Sequence, residues 1–401
     1  MRSMNFKRWA VCITMLLFVV VLAGCSDGVS PMPDSTSTTA AEAPLPGDEA
    51  LRDRVDNVLQ WTQNRHLDVN QHAAWQILHG ILGYGRALQV YDQGKLVYAV
   101  DWLLKGGQLR GWDLRPGKKG LIAVLGPGDR AGMGHKDQWL AILAQLNLDW
   151  DDQIVVSGRT YKIGDLVTES QWDLYDGMEA SWTLIGLSTY LPLDAKWTSR
   201  DGEQWNFPRI MAMEARRNLG ESACGGTHRL IGMSMTLNRY LAEGGKLTGA
   251  WATAQKVIAA AVVKAKAYQQ PDGSFSSSYF QRSSRSPDIA VRLGTTGHTL
   301  EFLMFALTDD QVHGPWVTRG VVSLCKMLER TKNLPVECGA LYHAIHGLQL
   351  YRTRRFEGSP EAETSPEPVA SKPPGGVPTT GHGSQATAAP DDAQQATARR
   401  P

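Results

Sequence analysis

Four times between residues 182 and 348 the chain repeats a short apolar pattern without gaps. The copies are Trp182-Thr-Leu184-Ile-Gly186-Leu187, His228-Arg-Leu230-Ile-Gly232-Met233, His298-Thr-Leu300-Glu-Phe302-Leu303 and His343-Ala-Ile345-His-Gly347-Leu348. Looser copies surround Trp75 (Trp75-Gln-Ile77-Leu-His79-Gly80) and Trp139 (Asp137-Gln138-Trp139-Leu140). Self-similarity of this kind constrains a fold more than composition does, because each copy must occupy an equivalent place. The copies are apolar nearly all round and rich in small residues, as helices buried on several sides are. A more amphipathic stretch precedes each one: Leu51–Gln63, Ile163–Trp172, Trp205–Leu219, Gly249–Gln269 and Trp316–Arg330, with the stretch before Trp139 the least distinct. Alternating β-branched runs that would mark strands are missing, Gln153–Tyr161 excepted.

Six amphipathic–apolar helix pairs predict an all-α fold, the (α/α)6 toroid of six helical hairpins. Its inner helices run the same way and open their N-termini on one face. Gln270-Pro271-Asp272-Gly273-Ser274-Phe275 resembles the Gln-x-x-Gly-x-Trp/Phe element of squalene and oxidosqualene cyclases. It is similar to the corresponding loop of protein prenyltransferase β-subunits and of thioester domains of the complement and α2-macroglobulin type. The resemblance runs from Glu179 to Phe356 and implies the toroid more than any activity. The acidic Asp-x-Asp-Asp cluster of the cyclases has no counterpart, since Asp151-Asp152 and Asp309-Asp310 fall in other contexts. Cys224-Gly225-Gly226-Thr227 lacks the glutamine of the thioester motif, and nothing matches the Asp/Cys/His zinc motif of the prenyltransferases.

The two ends differ in kind from this middle. Arg2, Lys7 and Arg8 precede an apolar run from Val11 to Leu22, which is the pattern of a secretory signal and short for a membrane span. Leu22-Ala23-Gly24-Cys25 resembles the bacterial lipobox. The resemblance implies cleavage after residue 24 and fatty acylation of Cys25, palmitate included, with each buried methylene adding about 0.8 kcal/mol of membrane affinity. Ser26 in place of Asp leans towards the outer membrane if the cell is Gram-negative. The expected address is therefore the periplasmic side of the cell envelope. Residues 25–48 are expected to form a flexible tether, and 357–401, rich in Pro, Ala, Ser and Thr, a disordered tail. The folded domain is expected over 49–356, about 310 residues. With 41 Lys and Arg against 40 Asp and Glu, no nucleic-acid surface is indicated. Among the cysteines of this domain, Cys224, Cys325 and Cys338, at most one bridge can form.

A toroid would gather polar residues at its mouth: His72, His135, Asp137, Glu179, Cys224, Thr227, His228, Thr295, Thr296, His298, Glu337, Cys338, His343 and His346. The connections 106–134 and 271–294 reach the same face, and long connections usually carry function. Asp137, Glu179 and Glu337 are the candidate carboxylates for acid/base work on a glycan, and His228, His298 and His343 the assisting bases. Asp272, Phe275, Tyr279, Arg292 and Thr296 are candidate ligand-binding residues. Cys224, His228, His298 and Cys338 have the donor types of a zinc site, although their wide spacing makes no compact motif. The other reading of each residue is structural: rings bonded to carbonyls, carboxylates favoured at helix N-termini, cysteines as small apolar side chains. No cofactor is implied, and catalysis is left undecided. The expected function is a lipid-anchored binding or scaffold protein taking a glycan, peptide or isoprenoid. A polysaccharide hydrolase or lyase is the alternative, and a terpenoid cyclase-like enzyme the third.

Overall fold

The computed structural model describes residues 44–126 and 133–357, and from Leu45 onward these belong to one compact unit. The expected signal peptide, Cys25, almost all of the tether and all but the first residue of the tail lie outside the described residues. No helix among the described residues is long and apolar enough to cross a membrane.

The fold is helix-rich with four small sheets. In chain order it runs α1 (Asp48–Gln63), β1 (Leu67–Asp68), α2 (Ala74–Tyr84), β2 (Gln89–Asp92), β3 (Lys95–Tyr98) and α3 (Ala99–Leu104). It continues through β4 (Trp112–Pro116), β5 (Leu121–Leu125), α4 (Gln138–Ala144), β6 (Gln153–Val156), β7 (Arg159–Lys162), α5 (Ile163–Asp173) and α6 (Ser181–Tyr190). Next come β8 (Lys196–Thr198), β9 (Gln204–Asn206), α7 (Phe207–Ala215), α8 (Thr227–Ala242), α9 (Gly249–Ala267) and α10 (Ile289–Ala306). The described chain closes with α11 (Asp309–Val312), α12 (Pro315–Arg330) and α13 (Cys338–Arg352).

The six repeat copies are α2, α4, α6, α8, α10 and α13. Each packs against the next, and α13 packs back on α2. Every residue of α4 is buried, as are Ser181 to Ser188 of α6. Small residues allow the close approach. A Cβ on Gly232 would lie 2.4 Å from the Ser181 carbonyl oxygen, and one on Gly297 2.8 Å from the Ala344 Cα. The amphipathic partners are α1, α3, α5, α7, α9 and α12. In α1 the buried positions Leu51, Val55, Val58, Leu59 and Thr62 make a single helical stripe.

The strands depart from the all-α expectation, in which only Gln153–Tyr161 stood out. That segment is the β6–β7 hairpin, and β2–β3 and β8–β9 are like it. Each of these three hairpins runs directly into one of the partner helices, α3, α5 or α7. Gln93-Gly94 and Ser157-Gly158 turn two of them with both residues at positive φ, the conformation that matches the twist of paired strands. Strands of three or four residues are too short to display an alternating pattern, which is why periodicity misses them. The connection 106–134 likewise holds the β4–β5 hairpin. Its tip is clamped by the buried Glu169 carboxylate of α5, which accepts the backbone N–H groups of Lys118, Lys119 and Gly120 at 2.9, 2.5 and 2.8 Å.

Candidate metal centre

Trp182, His228, His298 and His343 occupy the same place in the repeat, on α6, α8, α10 and α13. Because those helices are neighbours, equivalent side chains converge. The ring centroids of Trp182 and His228 lie 4.9 Å apart, His228 and His343 5.2 Å, and His298 and His343 3.9 Å. His79 of α2 reaches His343 at 4.9 Å, and His135, just before α4, reaches His228 at 5.0 Å. The result is a cluster of imidazoles inside the helical core: His228 is 4% exposed, His298 6% and His343 1%.

Cys224 completes one set of donors. Its backbone is left-handed (φ 50°, ψ 36°), and Gly225 and Gly226 continue at positive φ into the N-terminus of α8. Tyr279 covers this turn so closely that a Cβ on Gly225 would sit 2.3 Å from its ring. The turn brings Sγ of Cys224 and one ring nitrogen each of His228 and His298 within 4.8 Å of one another. His298 Nδ1 meets the Gly294 carbonyl at 2.8 Å, which leaves Nε2 for the cluster. His228 has no hydrogen-bond partner on either nitrogen among the described residues. Buried polar groups are rarely left so, because each unsatisfied one costs about 1–3 kcal/mol. A second set, His135, Glu179 and His228, meets the same 4.8 Å limit. Within it His135 Nδ1 lies 2.9 Å from Glu179 Oε2.

Behind the cluster lies Glu301, whose oxygens meet Nδ1 of His343 at 2.6 Å and Nδ1 of His346 at 2.7 Å. Burial alone would push the Glu301 carboxyl up, but the two histidines outweigh it and hold it well below the usual range. For His343 burial wins over the pull of Glu301 and drives it down to about 3. The pair is thus carboxylate and neutral imidazole, with Nδ1–H donating to Glu301 and His343 Nε2 left without a partner among the described residues. Burial, with His343, His135 and His298 adding to it, keeps His228 well below its ordinary value. Burial also lowers His298, yet the charge and hydrogen bond of Cys224, with Glu301 and the Gly294 carbonyl, raise it to about 9. Glu179 is raised by burial but held below its usual range by His135 and Arg229.

The expected site residues separate on this geometry. Cys224, His228, His298 and His343 come together, with Glu179 at the edge. Cys338 does not join Cys224. Its Sγ faces Gln76 Nε2 at 3.5 Å and lines a cleft of about 560 Å³ with His66, His72 and Tyr342. All three described cysteines are free thiols. Glu337 caps α13, its oxygens accepting from the N–H groups of Gly339 and Ala340. Asp137, left-handed at the start of α4, accepts the hydroxyls of Ser170 and Thr183 at 2.9 and 2.6 Å. In the connection 271–294, Tyr279 touches His298. Asp272 pairs with Arg285 and Arg292, Phe275 packs on Trp316, and Thr296 accepts the Phe275 N–H. These four hold the loop together. Glu301 was absent from the sequence candidates, though one signal pointed to it: it stands where other copies of the repeat carry Ile185 and Ile231.

Comparison with protein-family profiles, with curated proteins and with solved structures gave no match. The resemblance to the cyclases and prenyltransferases therefore stands on the repeat and on Gln270–Phe275 alone.

Proposed function

We propose that this chain is a lipid-anchored protein of the cell envelope whose inner helices close into an (α/α)6 toroid, and that the toroid carries a zinc-class metal centre with hydrolytic activity. His228 carries this reading: a buried imidazole without a hydrogen-bond partner among the described residues, within reach of a thiol and a second imidazole. Cys and His are zinc's preferred donors, and three protein ligands leave a fourth position for water, as in catalytic sites. Cys224, His228 and His298 are the ligands. A metal held there would lower the pKa of a bound water, and His343, oriented by Glu301 in the manner of a carboxylate–histidine pair, would accept a hydrogen bond from it. The closed succession of helix contacts supports the toroid, and Leu22-Ala23-Gly24-Cys25 supports the anchor.

A second reading, a binding or scaffold protein without turnover, is favoured by the burial of His228, His298 and His343. In that case the metal braces the ring of helices.

The test uses the full chain, exported with its own leader and purified from membranes without chelator. Metal content is measured together with release of reducing ends from envelope polysaccharide. Bound zinc that is lost in Cys224→Ala and His298→Ala, with activity lost to chelator and restored by zinc, supports the enzyme. Bound zinc without turnover supports the scaffold reading. A chain that takes up no metal overturns both.

A further inference from the structure

His228 belongs to two donor sets at once, one with Cys224 and His298 and the other with His135 and Glu179. A cation in the first set engages only one nitrogen of His228. The other nitrogen would remain buried and unpartnered, at the cost that applies to any orphaned polar group. The ring has an imidazole neighbour from each set, His135 at 5.0 Å and His298 at 5.5 Å. The second set is also the more open one: the side chains of His135 and Glu179 are 19% and 30% exposed, so a cation can enter from solvent.

We infer that a second cation binds between His135, Glu179 and His228, and that His228 bridges the two cations with one ring nitrogen on each. The bridge requires the ring to release its single N–H proton to solvent. Two imidazole nitrogens and one carboxylate oxygen are donors for zinc or a similar divalent transition metal. The inference rests on the metal centre proposed above but makes a separate demand, two ions per chain instead of one.

Full-length protein is stripped of metal, loaded with zinc and dialysed, and bound zinc is counted. Two zinc ions per chain are expected in the wild type and one in His135→Ala. Glu179→Gln, which replaces a charged ligand by a neutral one, is expected to lower the second ion's occupancy below that of the wild type. Cobalt serves as an independent readout. The thiolate-to-cobalt absorption should saturate at one equivalent while a second equivalent still binds, and His135→Ala should leave that absorption intact. Retention of the band also shows that the variant is folded. One zinc in the wild type, retained in His135→Ala and lost in Cys224→Ala, overturns the bridge and leaves the single centre standing. Two ions that both survive His135→Ala overturn the placement. No bound zinc overturns this inference together with the reading beneath it.

Discussion

Replacing Glu301 by Gln keeps the shape of the side chain and removes its charge. In the native protein both oxygens are occupied, by Nδ1 of His343 at 2.6 Å and Nδ1 of His346 at 2.7 Å, and the carboxylate is almost wholly buried. Glutamine keeps one acceptor and puts an NH2 against the other ring. That ring must then turn its lone pair towards the amide and place its proton on Nε2. For His343 this change would abolish the free Nε2 that the proposed chemistry uses. Hydrogen bonds to a charged group are each worth about 1.5–3 kcal/mol, and the amide recovers part of them. A net loss of about 2–3 kcal/mol is therefore expected. For a domain of about 310 residues the unfolding entropy is near 0.65 kcal/mol per degree, so Tm should fall by roughly 3–5 °C. Thermal unfolding of the metal-free protein measures this, and nitrogen-15 chemical shifts of His343 report the tautomer. A variant with unchanged Tm and His343 still protonated on Nδ1 would refute the argument that the carboxylate sets that ring.

Glu169→Gln should leave the helical core intact but loosen the β4–β5 tip, because an amide cannot accept all three N–H groups of Lys118, Lys119 and Gly120. Faster hydrogen exchange confined to those amides is expected, and exchange at the native rate would contradict the clamp. In the metal-free protein His343 titrates at about 3 when folded and at about 6.5 when unfolded, so its contribution to stability is complete above pH 6.5 and lost as the pH falls. Between pH 6.5 and 5 that loss is about 2 kcal/mol, and His228, shifted the same way, adds to it. His298 at about 9 acts in the opposite sense, but its gain is complete by pH 6.5. Urea midpoints should therefore fall over this interval, and a flat profile would count against neutral buried rings. His228→Phe should abolish metal binding yet leave metal-free protein at least as stable as the wild type, as judged by Tm. A loss of several kcal/mol would mean that His228 has a structural partner.

The helices were legible because their burial is legible. A segment apolar on every side, repeated in register behind an amphipathic one, has few places to go, and α2, α4, α6, α8, α10 and α13 lie where the repeats are. The hairpins were not, because β2–β3 and β8–β9 are held by the helices they enter and not by any pattern of their own. Among the site residues, the repeat register already placed His228, His298 and His343 at equivalent positions, so their convergence follows once neighbouring helices pack. The carboxylates were ambiguous for a physical reason. An acid at the first turn of a helix is favoured by capping whether or not it does chemistry, and Glu337 is such a cap. Cys224 and Cys338 could not be told apart by spacing, since only the left-handed turn at 224–226 swings one of them under the imidazoles. Glu301 was within reach of inspection as a charge in a repeat position that is otherwise mostly apolar.

Trp182 bears on why the imidazoles are there at all. It occupies the same repeat position as His228, His298 and His343, and the core accommodates it with the residue only 3% exposed. An apolar aromatic at this position is therefore compatible with the packing of this core. Filling three of four equivalent positions with imidazole instead introduces further polar nitrogens into a buried site, two of them on His228 without a partner among the described residues. Trp182 brings one such atom, its indole Nε1, and His228 two, so the imidazole is the less favourable choice by packing alone, since burying a polar group without a hydrogen bond is destabilising. Departures from the locally most stable choice concentrate where function requires them. The centre built from His228, His298 and His343, with Cys224 and Glu179 at its edge, is such a departure.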